Sequence, residues 1–415
     1  MNESNNLETN KKVLKPRGYL MILEWIIALY FKVIGKVKVK KENFKSFKEP
    51  SIIISNHGSM IDFANVVLAM FPYRTCWVAS IEEFNDREWL FRHLGVFPKR
   101  KFTTDLLVIK RITDLIKKRK MSVTIYPEAR FSLAGVNEDI SPALGKLAKL
   151  CKCRVIMLKQ NGNYLFSPQW HKHPYRRSKV EVNAIEVFSK EDAINLSESE
   201  LQKKIEEQFH YDEYKWAYEN NILIKSKERA TNVHKILYKC PICNKEGMMD
   251  SKGINLWCNN CHTKWEMEEN STLKCLNNED KFKLVSSWYK WEKEEAYKEV
   301  YNGTYHFEDD VRIEKLINSK IKFKTIGTIH MTHDDNGFTF LGKLDDGTTF
   351  NLNKVPTSTR SVHIEYNYKG RGDALDIATL DETWWVFPLH NCCLTKFNFT
   401  TEALFEKHTN KGSLK

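Results

Sequence analysis

Apolar and polar positions fall into two periods along this chain, and the change from one to the other marks its organisation. Residues 19–31 form an apolar run, Tyr19 to Phe31, broken only by Glu24. A bilayer-spanning helix needs about 20 apolar residues, so this run is too short to cross. It also lacks a small-residue cleavage site, so no signal peptide is expected. Lys11, Lys12, Lys15 and Arg17 precede it, and Lys32, Lys36, Lys38, Lys40 and Lys41 follow. An apolar helix with Trp25 and a cationic collar suits the interface of an anionic membrane; the alternative is a core helix packed on the domain behind it.

Strand and helix patterns then alternate. Ser51–Ser55 (SIIIS) reads as a buried strand, followed by strands at Thr75–Ser80, Ser122–Tyr126, Arg154–Lys159 and Val180–Val187. Between them, Leu106, Ile109, Ile112, Leu115 and Ile116 share a helical face after Thr104 as cap, and Ser141-Pro142 starts another helix. Residues 198–209 form a polar amphipathic helix. Strand–helix alternation over residues 45–215 predicts an α/β fold, a sheet with flanking helices. From about residue 303 the pattern is β-rich. Asn336-Gly337 and Asp346-Gly347 are hairpin turns, Val362, Ile364 and Tyr366 alternate with polar residues, and Thr400–Lys407 closes the chain as a helix. Asn278-Glu279-Asp280 reads as the start of a helix over 279–298.

These shifts divide the chain into an interfacial segment (1–40), an α/β domain (41–220), a cysteine-rich segment (235–275), a helical linker (276–302) and a β-rich module (303–415). Composition narrows the partners. Lys and Arg number 65 against 53 Asp and Glu, a net charge of +12, which suits nucleic acid, an anionic membrane or a phosphorylated substrate. The cations gather ahead of the α/β domain, and the cysteine-rich segment is charge-balanced, which disfavours nucleic acid.

Four of the 10 cysteines have metal-ligand spacing: Cys240-x2-Cys243, then 14 residues, then Cys258-x2-Cys261. Each pair fits a knuckle turn, and four thiolates complete a closed tetrahedral site of the structural kind. The segment resembles a zinc ribbon, with Zn2+ as a structural ion and Trp257 and Trp265 as its small core. Cys151, Cys153, Cys392 and Cys393 read as small buried apolar residues. His171 and His173 read as exposed rather than ligating.

The first β-strand runs into Asn56-His57-Gly58-Ser59-Met60-Ile61-Asp62. With a helix starting near His57, Asp62 returns towards the imidazole, where a carboxylate on one ring nitrogen raises the basicity of the other. Ser59 reads as a helix cap, not a nucleophile. Downstream, Leu94-Gly95-Val96-Phe97-Pro98 leads to the cations Lys99, Arg100 and Lys101, and Tyr126-Pro127-Glu128-Ala129-Arg130-Phe131-Ser132 leaves a buried strand. Val155–Leu158 closes the set. In order and spacing these four segments resemble the glycerolipid (1-acylglycerol-3-phosphate) acyltransferase family, whose motifs are N-H-x4-D, a Gly-x-Phe-Pro…Arg turn, F-P-E-G-T-R-S and an apolar strand. The resemblance spans residues 15–215.

The resemblance implies a fold and a reaction: an acyl group moved from acyl-CoA or an acyl-carrier protein to the hydroxyl of a lysophospholipid, 1-acylglycerol-3-phosphate foremost. By the same resemblance, His57 is the general base, Asp62 holds it, Arg100 with Lys99 or Lys101 grips phosphate, Glu128 orients the glycerol and Arg130 assists. It places the protein at the cytosolic face of a membrane, as a peripheral protein. At the third motif this chain departs: Gly has become Ala129, and the Arg arrives one residue early, leaving Phe131 in its place. The alternatives are an acyltransferase for another lipid acceptor and a non-catalytic lipid-binding protein on the same fold. The β-rich module with its closing helix resembles a PH- or GRAM-like module.

Overall fold

The computed structural model describes residues 12–410, apart from 86, 104, 172–175, 177, 319–321, 368–369 and 391–392. Seven strands, β1 (Lys38–Glu42), β2 (Ile52–Ser55), β3 (Thr75–Ser80), β4 (Val96–Lys99), β5 (Ser122–Ile125), β6 (Val155–Asn161) and β7 (Glu181–Phe188), lie in the order β1-β7-β6-β2-β5-β3-β4. All neighbours are parallel except β6 and β7. Among the described residues, nine α-helices connect or flank them: α1 (Gly18–Ile34), α2 (Asp62–Met70), α3 (Glu88–His93), α4 (Leu106–Lys117), α5 (Leu144–Cys151), α6 (Asn163–Phe166), α7 (Lys190–Asn195), α8 (Glu198–Gln208) and α9 (Glu213–Glu219).

The unbroken Ile52-Ile53-Ile54 run is explained by two covered faces. Ile52 and Ile54 pack with Val108, Ile112 and Ala148 of α4 and α5, whereas Ile53 joins Ala28 of α1 and Ala64 of α2 on the opposite face. Both layers leave the carboxyl ends of β2, β5, β3 and β4 aligned at one edge, where ligand sites of α/β sheets form.

A second sheet is a four-stranded antiparallel meander, β8 (Met249–Lys252), β9 (Asn255–Cys258), β10 (Lys264–Met267) and β11 (Leu273–Cys275). Helix α10 (Val285–Tyr301) follows. The β-rich part holds β12 (Phe307–Asn318), β13 (Lys322–Asp334), β14 (Gly337–Lys343), β15 (Thr349–Lys354), β16 (His363–Glu365), β17 (Ala374–Ala378) and β18 (Thr383–Pro388). They form one antiparallel sheet in the order β15-β14-β13-β12-β18-β17-β16, and α11 (Leu394–Asn410) ends the described chain. Gly337 and Gly347 take positive φ in the turns on either side of β14, as Asn-Gly and Asp-Gly turns require.

Several boundaries differ from the sequence reading. Helix α2 begins at Asp62, five residues after His57, so His57 stands in a loop. At α4 the cap is Asp105, whose Oδ1 accepts from the Leu107 and Val108 amides, a role a carboxylate fills well; Thr104 lies outside the described residues. The Ser141 hydroxyl accepts from the Ala143 amide, and α5 begins only at Leu144. Asn278-Glu279-Asp280 starts no helix, because Asp280 accepts from the Cys275 amide; α10 starts at Val285. That helix buries Trp288 and Tyr289 fully, so the stretch expected as a linker carries core. One apolar cluster runs from Leu133 and Tyr164 of the α/β part through Leu256 and Trp265 to Trp288, Phe338 and Trp384.

Helix α1 packs Leu20, Ala28 and Phe31 inwards, and Trp25 meets the Phe71 ring edge at 5.0 Å. Its other side exposes Tyr19, Ile22, Leu23, Ile26, Leu29, Tyr30 and Val33. Among the described residues, no helix is long and apolar enough to cross a membrane.

Candidate active site

Asn56 leaves β2 and pairs its side chain with the next strand: its Oδ1 accepts from the Gln160 amide and its Nδ2 donates to the Gln160 carbonyl, both at 2.8 Å. That clamp fixes where the following residue emerges. A Cβ on Gly58 would meet the Tyr164 amide nitrogen at 2.9 Å, so only glycine lets the loop lie this close to α6. His57 Nδ1 then lies 2.6 Å from Asp62 Oδ2, across the loop rather than along a helix. Asp62 also accepts from the Ser59 amide, at 3.2 Å to each oxygen. Ser59 does not cap α2; its hydroxyl accepts from the Ile61 amide and from Asn163 Nδ2.

Asp62 is 1 % exposed at its side chain and His57 21 %, so the pair presents an imidazole to solvent over a buried carboxylate. Burial pushes the Asp62 carboxyl above its ordinary value, opposed by the hydrogen bond and charge of His57. With Nδ1 bonded to Asp62, Nε2 is the nitrogen left to take a proton. The imidazole is held between two rings: Tyr126, stacked at 4.0 Å, and Phe131, tilted at 4.1 Å.

The remaining candidates occupy different ground. Glu128 is buried and accepts from the Tyr211 hydroxyl at 2.8 and 3.1 Å; burial holds its carboxyl well above the usual carboxylate range. Arg130 is buried between Glu402 Oε1 at 2.9 Å and Glu138 Oε2 at 3.2 Å. Lys101 Nζ lies 2.9 Å from Asp376, 3.7 Å from Glu365 and 3.9 Å from Glu82. Burial alone would lower the Lys101 ammonium, but those three carboxylates outweigh it and hold it above its ordinary value. Arg100 Nη2 donates to the Asp381 carbonyl at 2.7 Å, and Lys99 Nζ donates to the Arg100 and Thr103 carbonyls. Strands β5 and β3 lie between β2, which carries His57, and β4, which carries these cations, a span of about 14 Å at usual strand spacing. The structure therefore brings His57, Asp62, Tyr126 and Phe131 together, and turns Lys101 and Arg130 towards the C-terminal part.

Sequence reasoning missed the layer beneath the histidine. Gln160 Nε2 donates to Ser55 Oγ, and Asn65 Nδ2 donates to Gln160 Oε1 and Asn163 Oδ1. The signal was Asn56, next to His57 in the motif; its partners are about a hundred residues away.

Cys240, Cys243, Cys258 and Cys261 place their sulfurs within 4.8 Å of one another, with Cys240–Cys261 at 3.6 Å and Cys243–Cys258 at 3.8 Å. Four thiolates bound tetrahedrally to zinc at about 2.3 Å would stand about 3.8 Å apart, so the donor set fits that ion. Of the two tryptophans expected in its core, Trp265 is buried against Trp288 at 5.0 Å, while Trp257 is half-buried and donates to Asn259. His171 is buried beside Arg176 rather than exposed, and Cys151 and Cys153 are buried; His173 and Cys392 lie outside the described residues.

A mixed α/β sheet with a carboxylate-bound histidine at its strand ends is the class this site defines. Residues 36–158 match the family described as Acyltransferase, which supports acyl transfer as the chemistry of that segment. Among solved structures, the chain is similar to PlsC, the 1-acyl-sn-glycerophosphate (LPA) acyltransferase of Thermotoga maritima, at 17 % identity and a TM-score of 0.38, over 46 % of this chain and 77 % of that one. No curated protein matches it.

Proposed function

We propose that this protein transfers an acyl group from an acyl thioester, acyl-CoA or acyl-carrier protein, to the hydroxyl of a lysophospholipid, with His57 as general base. The observation that carries the reading is the 2.6 Å bond between His57 Nδ1 and buried Asp62 beneath a partly open imidazole. His57 Nε2 takes the acceptor hydroxyl proton as its oxygen attacks the thioester carbonyl. The new C–O bond forms, the C–S bond breaks, and the departing thiolate takes the proton back from His57. Asp62 fixes the ring tautomer and stabilises the imidazolium. The intact pair speaks against a non-catalytic protein on this fold.

For the acceptor, 1-acylglycerol-3-phosphate would need Arg100, Lys99 or Lys101 on its phosphate, with Glu128 and Arg130 nearby. A different lipid acceptor is the reading favoured by one observation: Lys101 and Arg130 already hold buried carboxylates. The exposed apolar side of α1, with Lys32, Lys36, Lys38 and Lys40 at its end, supports peripheral docking on an anionic membrane from the cytosolic side. The four-cysteine meander supports a zinc ribbon with structural Zn2+. A four-strand meander joined to a three-strand one and closed by α11 supports a PH- or GRAM-like module at 303–415. Incubation of the purified chain with acyl-CoA and lysophospholipid vesicles, with products read by mass spectrometry, tests the reaction; absence of any acylated product would sink it.

A further inference from the structure

The third acyltransferase segment carries Phe131 in the place of its usual arginine, and the Phe131 ring lies 4.1 Å from His57. Where a guanidinium would face the acceptor, this chain offers an apolar ring. The neighbouring Arg130 side chain is 1 % exposed and bound to Glu138 and Glu402. At the second segment, Lys101 faces Asp376, Glu365 and Glu82, three carboxylates for one ammonium. Arg100 holds the Asp381 carbonyl and Lys99 two further carbonyls. Asp376, Glu365, Asp381 and Glu402 all come from the β-rich part or its closing helix. That part meets the strand ends with the carboxylates of Asp376, Glu365 and Glu402 and the carbonyl of Asp381.

Resting on the acyl-transfer reading, we infer that the acceptor lipid carries no net negative charge on its head group: the hydroxyl of a monoacylglycerol or a zwitterionic lysophospholipid. Recognition of a phosphomonoester through Lys101 or Arg130 would require them to leave buried carboxylates, which would then stand uncompensated, and through Arg100 or Lys99 it would require them to release the backbone carbonyls they hold. An anionic head approaching Glu365 and Asp376 would also meet like charge, which penalises the wrong partner. An uncharged or zwitterionic head meets neither cost, and Phe131 offers its glycerol and first methylenes an apolar wall beside the base.

The full chain is assayed with acyl-CoA against monoacylglycerol, lysophosphatidylcholine and lysophosphatidic acid, each presented in the same neutral micelle. At least one of the first two should be acylated about tenfold faster than lysophosphatidic acid, and excess inorganic phosphate should leave that rate unchanged. Equal or faster acylation of lysophosphatidic acid, or competition by phosphate, overturns the inference and leaves the acyl-transfer reading standing. Transfer to none of the three removes that reading and the inference with it.

Discussion

Arg130 Nη2 lies 2.9 Å from Glu402 Oε1, joining positions 272 residues apart with side chains 1 % and 3 % exposed. The loop that holds Phe131 against His57 is thereby tied to α11, the last described helix. Lys293 of α10 reaches the same Glu402 at 2.8 Å and Glu138 at 3.6 Å, so three segments meet at one buried charge cluster.

Removing one partner from such a cluster leaves a buried charge uncompensated. Arg130→Met is therefore expected to lower unfolding stability by about 3–5 kcal/mol, measured by urea denaturation at pH 7. A loss under about 1 kcal/mol would mean that Lys293 alone satisfies both carboxylates.

Ala129 holds a φ of 58°, in the left-handed region that favours glycine. Ala129→Gly should relieve that strain and stabilise the chain by about 1 kcal/mol, after the entropy glycine adds to the unfolded state. The midpoint of thermal or urea unfolding reads it. Destabilisation would show that the loop gains more from the methyl group than it loses in strain.

His333 is fully buried, stacked on Phe338 at 3.8 Å, with Nδ1 2.9 Å from the Tyr305 hydroxyl. Burial pushes its pKa down from 6.5 to about 3. Between those values the unfolded imidazole binds a proton and the folded one does not, so stability falls as pH falls. One such group contributes a slope of about 1.4 kcal/mol per pH unit across that window. His333→Phe keeps the stack, removes one of the Tyr305 hydroxyl's partners while Thr400 remains, and should be less stable at pH 7 by about 1 kcal/mol. Its stability should fall less steeply between pH 6 and 4. Parallel pH profiles for the two proteins would refute the assignment.

Elemental analysis should find one zinc per chain. Chelation or Cys258→Ser should unfold the meander and, because Trp265 lies 5.0 Å from Trp288, also shift the tryptophan fluorescence of α10. Since Leu133 and Tyr164 share that apolar cluster, the unfolding midpoint of the whole chain should drop. A metal-free protein of unchanged midpoint would remove the zinc assignment.

The α/β alternation was legible because β2 is buried on both faces and its isoleucines are contiguous. His57 and Asp62 were legible as a pair through their spacing, although the loop, not a helix, brings them together. Glu128 and Arg130 were legible as residues at a strand end, but not their surroundings. Arg130–Glu402 and Lys101–Asp376 join positions more than 270 residues apart, and no local period or spacing encodes such pairs. Helix α10 read as a linker for a related reason: Trp288 and Tyr289 are buried by segments from both halves of the chain.

The central claim is that His57, held by Asp62, removes the acceptor proton. Its most direct test is the initial rate of acyl transfer from acyl-CoA by His57→Ala against the unaltered chain, with circular dichroism and unfolding midpoint checked on both. The fold should be unchanged and the rate lower by about 10²–10⁴. A correctly folded His57→Ala protein that transfers acyl groups at the full rate would contradict it.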